Sequence, residues 1–167
     1  MNKLQDIHSP AELKQVPADE IPALCGEIRE FLIDSVSKTG GHFASNLGAV
    51  ELAVAIDRVY DPERDRIIYD VGHQAYVHKL LTGRRDRFPT LRKFGGLSGF
   101  PKPAESPCDA FITGHASTSV SAALGMARAR TIQGDDYDVC AVIGDGSMTG
   151  GLAYEAIADA GQSREPI

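Results

Sequence analysis

The sequence predicts an α/β domain in which helices cover both faces of a mostly parallel sheet. Short apolar runs that stop at glycine alternate with segments of helical periodicity, the usual pattern of parallel strands joined by helices. The chain has 167 residues, of which 43% are hydrophobic, so it is long enough to bury one sizeable core. Its formal net charge of -6 argues against a nucleic-acid or membrane-surface protein, and no apolar run is long enough to span a bilayer.

Three helices are expected before the first strand. Ser9 followed by Pro10 marks the first start, because serine caps free N–H groups and proline suits the first helical position. Apolar residues recur with helical spacing over residues 21–39, and a pair of glycines ends that helix. A third helix is expected over residues 47–60, and Pro62 prevents it from continuing.

Strands and helices then alternate along the chain. The expected strands are residues 66–71, 108–113 and 139–143, and the helices that follow them are residues 75–81, 117–132 and 151–160. Each strand stops at a glycine beside a chemically active side chain, namely at Gly72-His73, Gly114-His115 and Gly144-Asp145. Because ligands of such sheets bind at the carboxyl ends of the strands, we expect two imidazoles and a carboxylate at one edge.

The segment over residues 82–107 shows little periodicity and is rich in glycine and proline. It also carries a group of basic side chains, which are Arg84, Arg85, Arg87, Arg92 and Lys93. A loop of this length in a compact domain is either a functional cover of a site or a mobile, solvated loop. As a cover, its positive charge would attract a phosphorylated substrate. Both alternatives remain open at this stage.

The glycine-rich turn around Asp145 has the chemistry of an anion site with a cation in it. Backbone N–H groups in such a turn can bind phosphate. A nicotinamide dinucleotide site, however, would need its third glycine one position before Gly150. It would also place the negative charge of Asp145 against a pyrophosphate. No lysine follows the glycines, which excludes a Walker loop. A magnesium ion between Asp145 and phosphate oxygens would account for the carboxylate. The alternative is an aspartate that caps the following helix.

Five blocks of sequence resemble the N-terminal part of the 1-deoxy-D-xylulose-5-phosphate synthase family of thiamin diphosphate enzymes. They are GGHFASNLGAVELAVAI, IIYDVGHQAYVHKLLTGRRDRF, KFGGLSGFPK, TGHASTSVSAALGMA and VIGDGSMTGGLAYEA. These blocks follow the family's order and spacing from about residue 6 to the end of the chain. Transketolases share the Gly-His and Gly-Asp-Gly elements, but DVGHQAYVHKLLTGR and GGLSGFPK favour the synthase over a transketolase N-terminal half.

The resemblance implies a three-layer thiamin-diphosphate-binding fold and a role for individual residues. It implies that His42 is catalytic, close to the reactive carbon of the cofactor, and that Asp145 is a ligand of Mg2+. The implied cofactor contacts are His73, Gly114, His115, Ala116, Gly146 and Ser147. For each histidine, the alternative is a hydrogen-bonded core or turn residue.

Four further positions carry weaker expectations. His78 is expected to be a helix residue, and the alternative is that it lines the site. Asp70 is expected to orient the turn at residues 71–73 rather than to bind metal. Ala116 stands where many family members have serine, and Ser147 stands where alanine is common, so one hydroxyl is lost and another gained.

By resemblance, the complete protein condenses pyruvate with glyceraldehyde 3-phosphate and feeds isoprenoid, thiamin and pyridoxal precursor synthesis. It would be a cytoplasmic homodimer, a location that three widely spaced cysteines also favour. The chain would be the N-terminal part of the cofactor domain, with the pyrimidine-binding and C-terminal domains, and the asparagine that completes the magnesium site, beyond Ile167. The alternative is that the isolated chain is inactive, either a magnesium-diphosphate binding module or a truncated remnant.

Overall fold

A computed structural model describes residues 3–167 and shows two compact units. The first unit runs to Asp61 and resumes over His73–Gly99. The second consists of Pro62–Gly72 and Phe100–Ile167. Within the described residues, none of the helices is both long and apolar enough to cross a membrane.

The first two helices of the first unit follow the sequence prediction. Helix α1 is Pro10–Gln15, and the Ser9 hydroxyl accepts a hydrogen bond from the Glu12 N–H, as expected of an N-cap. Helix α2 is Ile21–Thr39 and ends at Gly40, whose φ of 75° suits glycine. Its buried face carries residues spaced at one helical turn, which are Leu24, Cys25, Ile28, Leu32 and Val36.

The third predicted helix is divided in two and begins earlier than expected. Helix α3 is Phe43–Gly48 and helix α4 is Val50–Val59. Ala49 separates them, because its N–H bonds to the carbonyl of Asn46 in a tighter turn than an α-helix allows. The expectation of one continuous helix was therefore wrong at this position.

The segment after α5 (Tyr76–Lys79) is ordered and partly buried. Irregular helical turns occupy Leu80–Arg84 and Arg85–Thr90, and their spacing is not that of an α-helix. Phe88, Leu91 and Leu97 are fully buried in the same apolar cluster as α2 and α4. The expectation of a long loop was therefore wrong for the first part of this segment. Its apolar residues enter the core, but they do not recur at a helical or strand spacing, so the sequence pattern did not show it.

The second unit contains the sheet. Strands β1 (Arg66–Tyr69) and β2 (Val139–Val142) are parallel and hydrogen-bonded in register from Arg66 opposite Val139 to Tyr69 opposite Val142. Helix α6 (Ser119–Gln133) packs against both strands, and helix α7 (Gly151–Ser163) packs against α6. A parallel α/β arrangement is therefore confirmed, and the described residues form a sheet of two strands.

The strand predicted over residues 108–113 was wrong. Side chains there hydrogen-bond to nearby backbone groups: the Asp109 carboxylate accepts the Lys102 N–H, and the Ser106 hydroxyl accepts the Cys108 N–H. Such local hydrogen bonds compete with pairing in a sheet. The segment is irregular, so only two of the three expected strand ends exist in this unit.

Candidate functional site

Two chain segments leave the carboxyl ends of β1 and β2 at the same edge of the sheet. Asp70 follows β1, and the backbone then turns through Val71 and Gly72, both with positive φ. The turn that contains Asp145 follows β2, and the Asp145 side chain is exposed to solvent. A parallel sheet places both segments where ligands of α/β proteins bind.

A third segment is held at this edge by the Asp70 carboxylate. Asp70 is only 1% exposed, and its two oxygens accept the N–H groups of Ser117 and Ser119 at 2.9 and 3.0 Å. These bonds fix the loop over residues 114–118, which carries His115. The sequence predicted that Asp70 orients its own turn, whereas its carboxylate in fact positions this other loop.

Asp70 is buried as a carboxylate. Burial acts to raise its pKa, but hydrogen bonds from the Ser119 N–H, the Ser147 side chain and the Ser117 N–H outweigh burial and leave the pKa below its usual value. The group is therefore ionised at neutral pH. A carboxylate can only accept hydrogen bonds, which suits two backbone donors.

The loop over residues 114–118 also contacts the turn after β2. The Ser117 hydroxyl donates to the Ser147 carbonyl at 2.6 Å. Gly150 leaves room for this contact, since a Cβ there would stand 2.4 Å from the Ser117 oxygen. Within the second unit, Ser117 thus connects the loop that carries Gly114, His115 and Ala116 to the turn that carries Asp145, Gly146 and Ser147.

Asp145 lies in an open turn. Its carboxylate accepts the N–H of Gly146 at 2.8 Å. Apart from the adjoining residues, no atom of residues 3–167 lies within 4 Å of where a Cβ would be on Gly144 or Gly146. Helix α7 begins at Gly151 with Gly150 as its N-cap, so Asp145 does not cap α7 itself. Its bond to the Gly146 N–H lies within the turn, and the alternative of a turn-capping aspartate stays a prediction. Among residues 3–167, no three histidine, cysteine or acidic side chains form a ready metal cluster.

The remaining two predicted residues, His42 and His73, lie together in the first unit. Their ring centroids are 5.2 Å apart and the rings meet edge to face, with 66° between their planes. Burial, followed by the charges of His73 and Arg92, lowers the pKa of His42 below its usual value. The Nδ1 atom of His73 is buried and has no hydrogen-bond partner among the described protein atoms. A buried polar atom in this condition fits a site that is completed by a ligand.

Two residues near these histidines were not assigned a role from the sequence. Asn46 is buried and binds the backbones of both His42 and His73. Arg92, expected only as part of a basic loop, has a positive φ of 61° and its charge acts on His42. The signal for Asn46 was its position in GGHFASN, four residues after His42, which is the spacing of about one helical turn.

His78 belongs to the interior of the first unit. Its Nδ1 lies 2.9 and 3.1 Å from the two carboxylate oxygens of Asp57, and both side chains are at most 1% exposed. The expectation of a helix residue is confirmed, since His78 lies in α5. This buried contact with Asp57 makes His78 a structural residue of the first unit.

A model of the 1-deoxy-D-xylulose-5-phosphate synthase family matches residues 4–167. The chain belongs to the 1-deoxy-D-xylulose-5-phosphate synthase family. The family resemblance is therefore confirmed over nearly the whole sequence, and the roles of the individual site residues stay predictions. The synthases of this family are thiamin diphosphate enzymes, and the enzyme class is that of a transferase.

Curated members of the synthase family are similar to the chain throughout its length. The 1-deoxy-D-xylulose-5-phosphate synthase 1 of Geobacter sulfurreducens is 60% identical over 164 residues, which cover 98% of this chain and 26% of that protein. The synthase of Natranaerobius thermophilus is 58% identical over 161 residues, 96% of this chain and 26% of its own. The synthase of Clostridium kluyveri is 59% identical over 166 residues. The chain spans about a quarter of the length of these relatives.

Proposed function

We propose that the chain is the N-terminal part of the cofactor domain of a synthase that joins pyruvate to glyceraldehyde 3-phosphate. The reaction forms 1-deoxy-D-xylulose 5-phosphate and releases carbon dioxide. Membership of the synthase family supports the proposal. The structural observation that carries it is the bond between Ser117 and Ser147, since it joins the loop of His115 to the turn of Asp145 at the carboxyl edge of the strands.

The turn after β2 would hold a magnesium ion and the cofactor diphosphate. Asp145 is exposed and supplies the hard oxygen ligand that Mg2+ prefers, with phosphate oxygens as further ligands. The Asp145 carboxylate accepts the Gly146 N–H in this structure; if Asp145 held the ion instead, this N–H would be free to donate to a phosphate oxygen. His115 is exposed on the neighbouring loop and can donate a ring N–H, whereas Ala116 offers only its backbone N–H.

The histidine pair of the first unit would serve proton transfer and substrate orientation. Bound thiamin diphosphate supplies an electron sink for the decarboxylation of pyruvate. Because its pKa is lowered, His42 is neutral at physiological pH and can take up a proton or hold the pyruvate carboxylate through a ring N–H. The buried Nδ1 of His73 would meet a polar group of the cofactor.

The proposal includes properties of the complete protein. These are a three-layer cofactor fold, a cytoplasmic location, a homodimeric assembly and a place in isoprenoid, thiamin and pyridoxal precursor synthesis. They rest on the family alone. The isolated chain is proposed to bind magnesium and diphosphate without turnover, because its relatives are about four times as long.

A chimaera tests the activity. Residues 4–167 replace the corresponding part of the Geobacter sulfurreducens synthase, and product is measured with pyruvate, glyceraldehyde 3-phosphate, thiamin diphosphate and Mg2+. We expect 1-deoxy-D-xylulose 5-phosphate from the chimaera and none from the isolated chain. A folded chimaera that accepts a ketose phosphate as donor but not pyruvate would identify the chain as a transketolase half instead.

The metal role of Asp145 is tested in the same chimaera. Asp145→Ala should weaken thiamin diphosphate binding at least about tenfold, and added Mg2+ should restore little of it, because the ion loses its protein ligand. The matched control is Asp136→Ala, which removes the same charge from an exposed position before the amino end of β2. Equal cofactor affinity in the two variants across a magnesium titration would remove Asp145 from the metal site.

A further inference from the structure

Asn46 is the buried polar side chain that connects the two histidines. It lies in α3 and is 1% exposed. Its amide nitrogen donates to the His42 carbonyl at 2.6 Å and to the His73 carbonyl at 2.8 Å. Its amide oxygen accepts the Tyr76 N–H at 2.9 Å. One side chain therefore ties together two segments, and it reaches His73 across 27 positions of the sequence.

The chemistry of these partners fixes the orientation of the amide. Carbonyl groups only accept and a backbone N–H only donates, so the amide nitrogen must face the carbonyls and the amide oxygen must face Tyr76. Both N–H groups of the amide are then in use. Aspartate at this position could accept from Tyr76 but would have no donor for the carbonyls, and leucine could do neither.

Tyr76 holds the other side of the His42 backbone. Its hydroxyl accepts the His42 N–H at 3.3 Å, and its side chain is fully buried in the core of the first unit. Gly41 lets the ring approach, since a Cβ there would stand 2.7 Å from the Tyr76 hydroxyl. His42 is thus held through its N–H and its carbonyl, while Asn46 holds His73 through its carbonyl.

We infer that Asn46 is a positioning residue that sets the spacing and angle of the His42 and His73 rings. The inference rests on the proposed function, because the spacing of the two rings affects the reaction only if both histidines act on the cofactor and substrate. Asn46 does not touch the reacting atoms, since its amide is buried and fully engaged. The effect is transmitted through the two backbone carbonyls, which hold the ring-bearing residues at fixed points.

The environment of His42 supplies a readout for this role. After burial, the nearby His73 is the next cause that lowers the pKa of His42, and Arg92 adds to it. Arg92 lies in another segment, and the three hydrogen bonds that orient the Asn46 amide go to the backbones of His42, His73 and Tyr76. Moving the two rings apart should therefore raise the pKa of His42 while the contribution of Arg92 remains.

The test is Asn46→Leu in the chain, because leucine has a similar volume and adds no charge. With labelled histidine imidazoles, NMR reports the cross-relaxation between the His42 and His73 rings and the titration midpoint of each. We expect the ring-to-ring signal to be lost and the midpoint of His42 to rise. Leu32→Ala, a truncation in the core of the same unit, is the control for general destabilisation and should change neither reading.

A milder variant covers the case in which leucine prevents folding. Asn46→Ser leaves a small polar side chain and should show the same changes in the ring signal and in the His42 midpoint. An unchanged ring-to-ring signal in either folded variant would overturn the inference. Loss of the folded state in both variants would also overturn it, because Asn46 would then determine folding rather than ring placement.

Kinetics in the chimaera separate this inference from the proposed function. Asn46→Leu should lower kcat about 10- to 100-fold with a much smaller change in KM for pyruvate, since misplaced groups lose rate more than binding. If the rings separate in the NMR experiment but the parent chimaera makes no product, the proposed function fails and the positioning role stands. If the parent chimaera is active and Asn46→Leu has parental kcat, the positioning role fails alone.

Discussion

The sharpest prediction concerns Asp70, because a single buried carboxylate holds the loop that carries His115. Its partners include the buried N–H groups of Ser117 and Ser119, which are 6% and 0% exposed. Asp70→Asn keeps the size of the side chain but replaces one accepting oxygen with an NH2 group. One of the two buried N–H groups would then face another donor.

The expected cost follows from these two bonds. A hydrogen bond to a charged group contributes roughly 1.5–3 kcal/mol, and a buried donor left without a partner costs about 1–3 kcal/mol. Asp70→Asn weakens one bond and breaks the other, so we expect a loss of about 2 kcal/mol in the free energy of unfolding. With a urea dependence of about 2 kcal/mol per molar, the unfolding midpoint should fall by about 1 M.

The effect should depend on pH in one direction. The pKa of Asp70 is lower in the folded chain than the usual carboxyl value of about 3.9, so its contribution is complete above that value. It is lost as the pH falls through the lowered pKa of the folded state. The difference in urea midpoint between the parent chain and Asp70→Asn should therefore be constant from pH 7 to pH 5 and shrink towards pH 2.

The assay is urea unfolding of the chain at pH 7, 5 and 2.5, followed by circular dichroism. Asp159→Asn is the matched control, since it makes the same change in the same unit at an exposed pair with Arg128. Its midpoint should stay at the parent value. A midpoint for Asp70→Asn within 0.2 M of the parent at pH 7, or a difference that is as large at pH 2.5 as at pH 7, would refute the reasoning.

The remaining predictions concern three other contacts. Gly150→Ala would place a Cβ against the Ser117 hydroxyl and should weaken thiamin diphosphate binding in the chimaera, measured by calorimetry, whereas Gly151→Ala, with open space at its Cβ, should bind normally. Arg58→Met removes the hydrogen bonds from the guanidinium to the carbonyls of Val16 and Leu13, so hydrogen exchange in α1 should become faster while exchange in α6 is unchanged. Asp57→Asn disturbs the buried contact with His78 and should lower the urea midpoint by about 1 M, and a parental midpoint would show that the pair is dispensable.

The sequence determined those elements whose signals are local. Ser9 with Pro10 marked the start of α1, and Gly40 marked the end of α2, because capping depends on a few adjacent residues. The two strands were found within one or two residues of their ends, since each is an apolar run that stops at a polar turn. The motifs that follow these strands also identified the family, which the family match confirmed.

The tertiary structure decided which segments enter the core and which side chains hold them. Phe88, Leu91 and Leu97 are buried although their spacing has no helical or strand period. The segment over residues 108–113 has strand-like composition, yet the Cys108 N–H bonds to the Ser106 hydroxyl and the Asp109 carboxylate accepts the Lys102 N–H, so both residues are engaged locally. Local pattern could not distinguish these outcomes, because burial and pairing depend on what other parts of the chain bring into contact.

The candidate site shows the same division. The sequence alone was enough to propose the histidines and the Gly-Asp-Gly turn as candidate site residues, because those residue types carry recognisable chemistry. Asp70 reaches Ser117 across 47 positions, and Asn46 reaches His73 across 27. Neither bond has a local signature, since a buried carboxylate or amide acquires its partners only when the chain folds. The candidate reactive groups can therefore be proposed from the sequence. The buried groups that fix their positions can be identified only from the structure, because they act through contacts between distant segments.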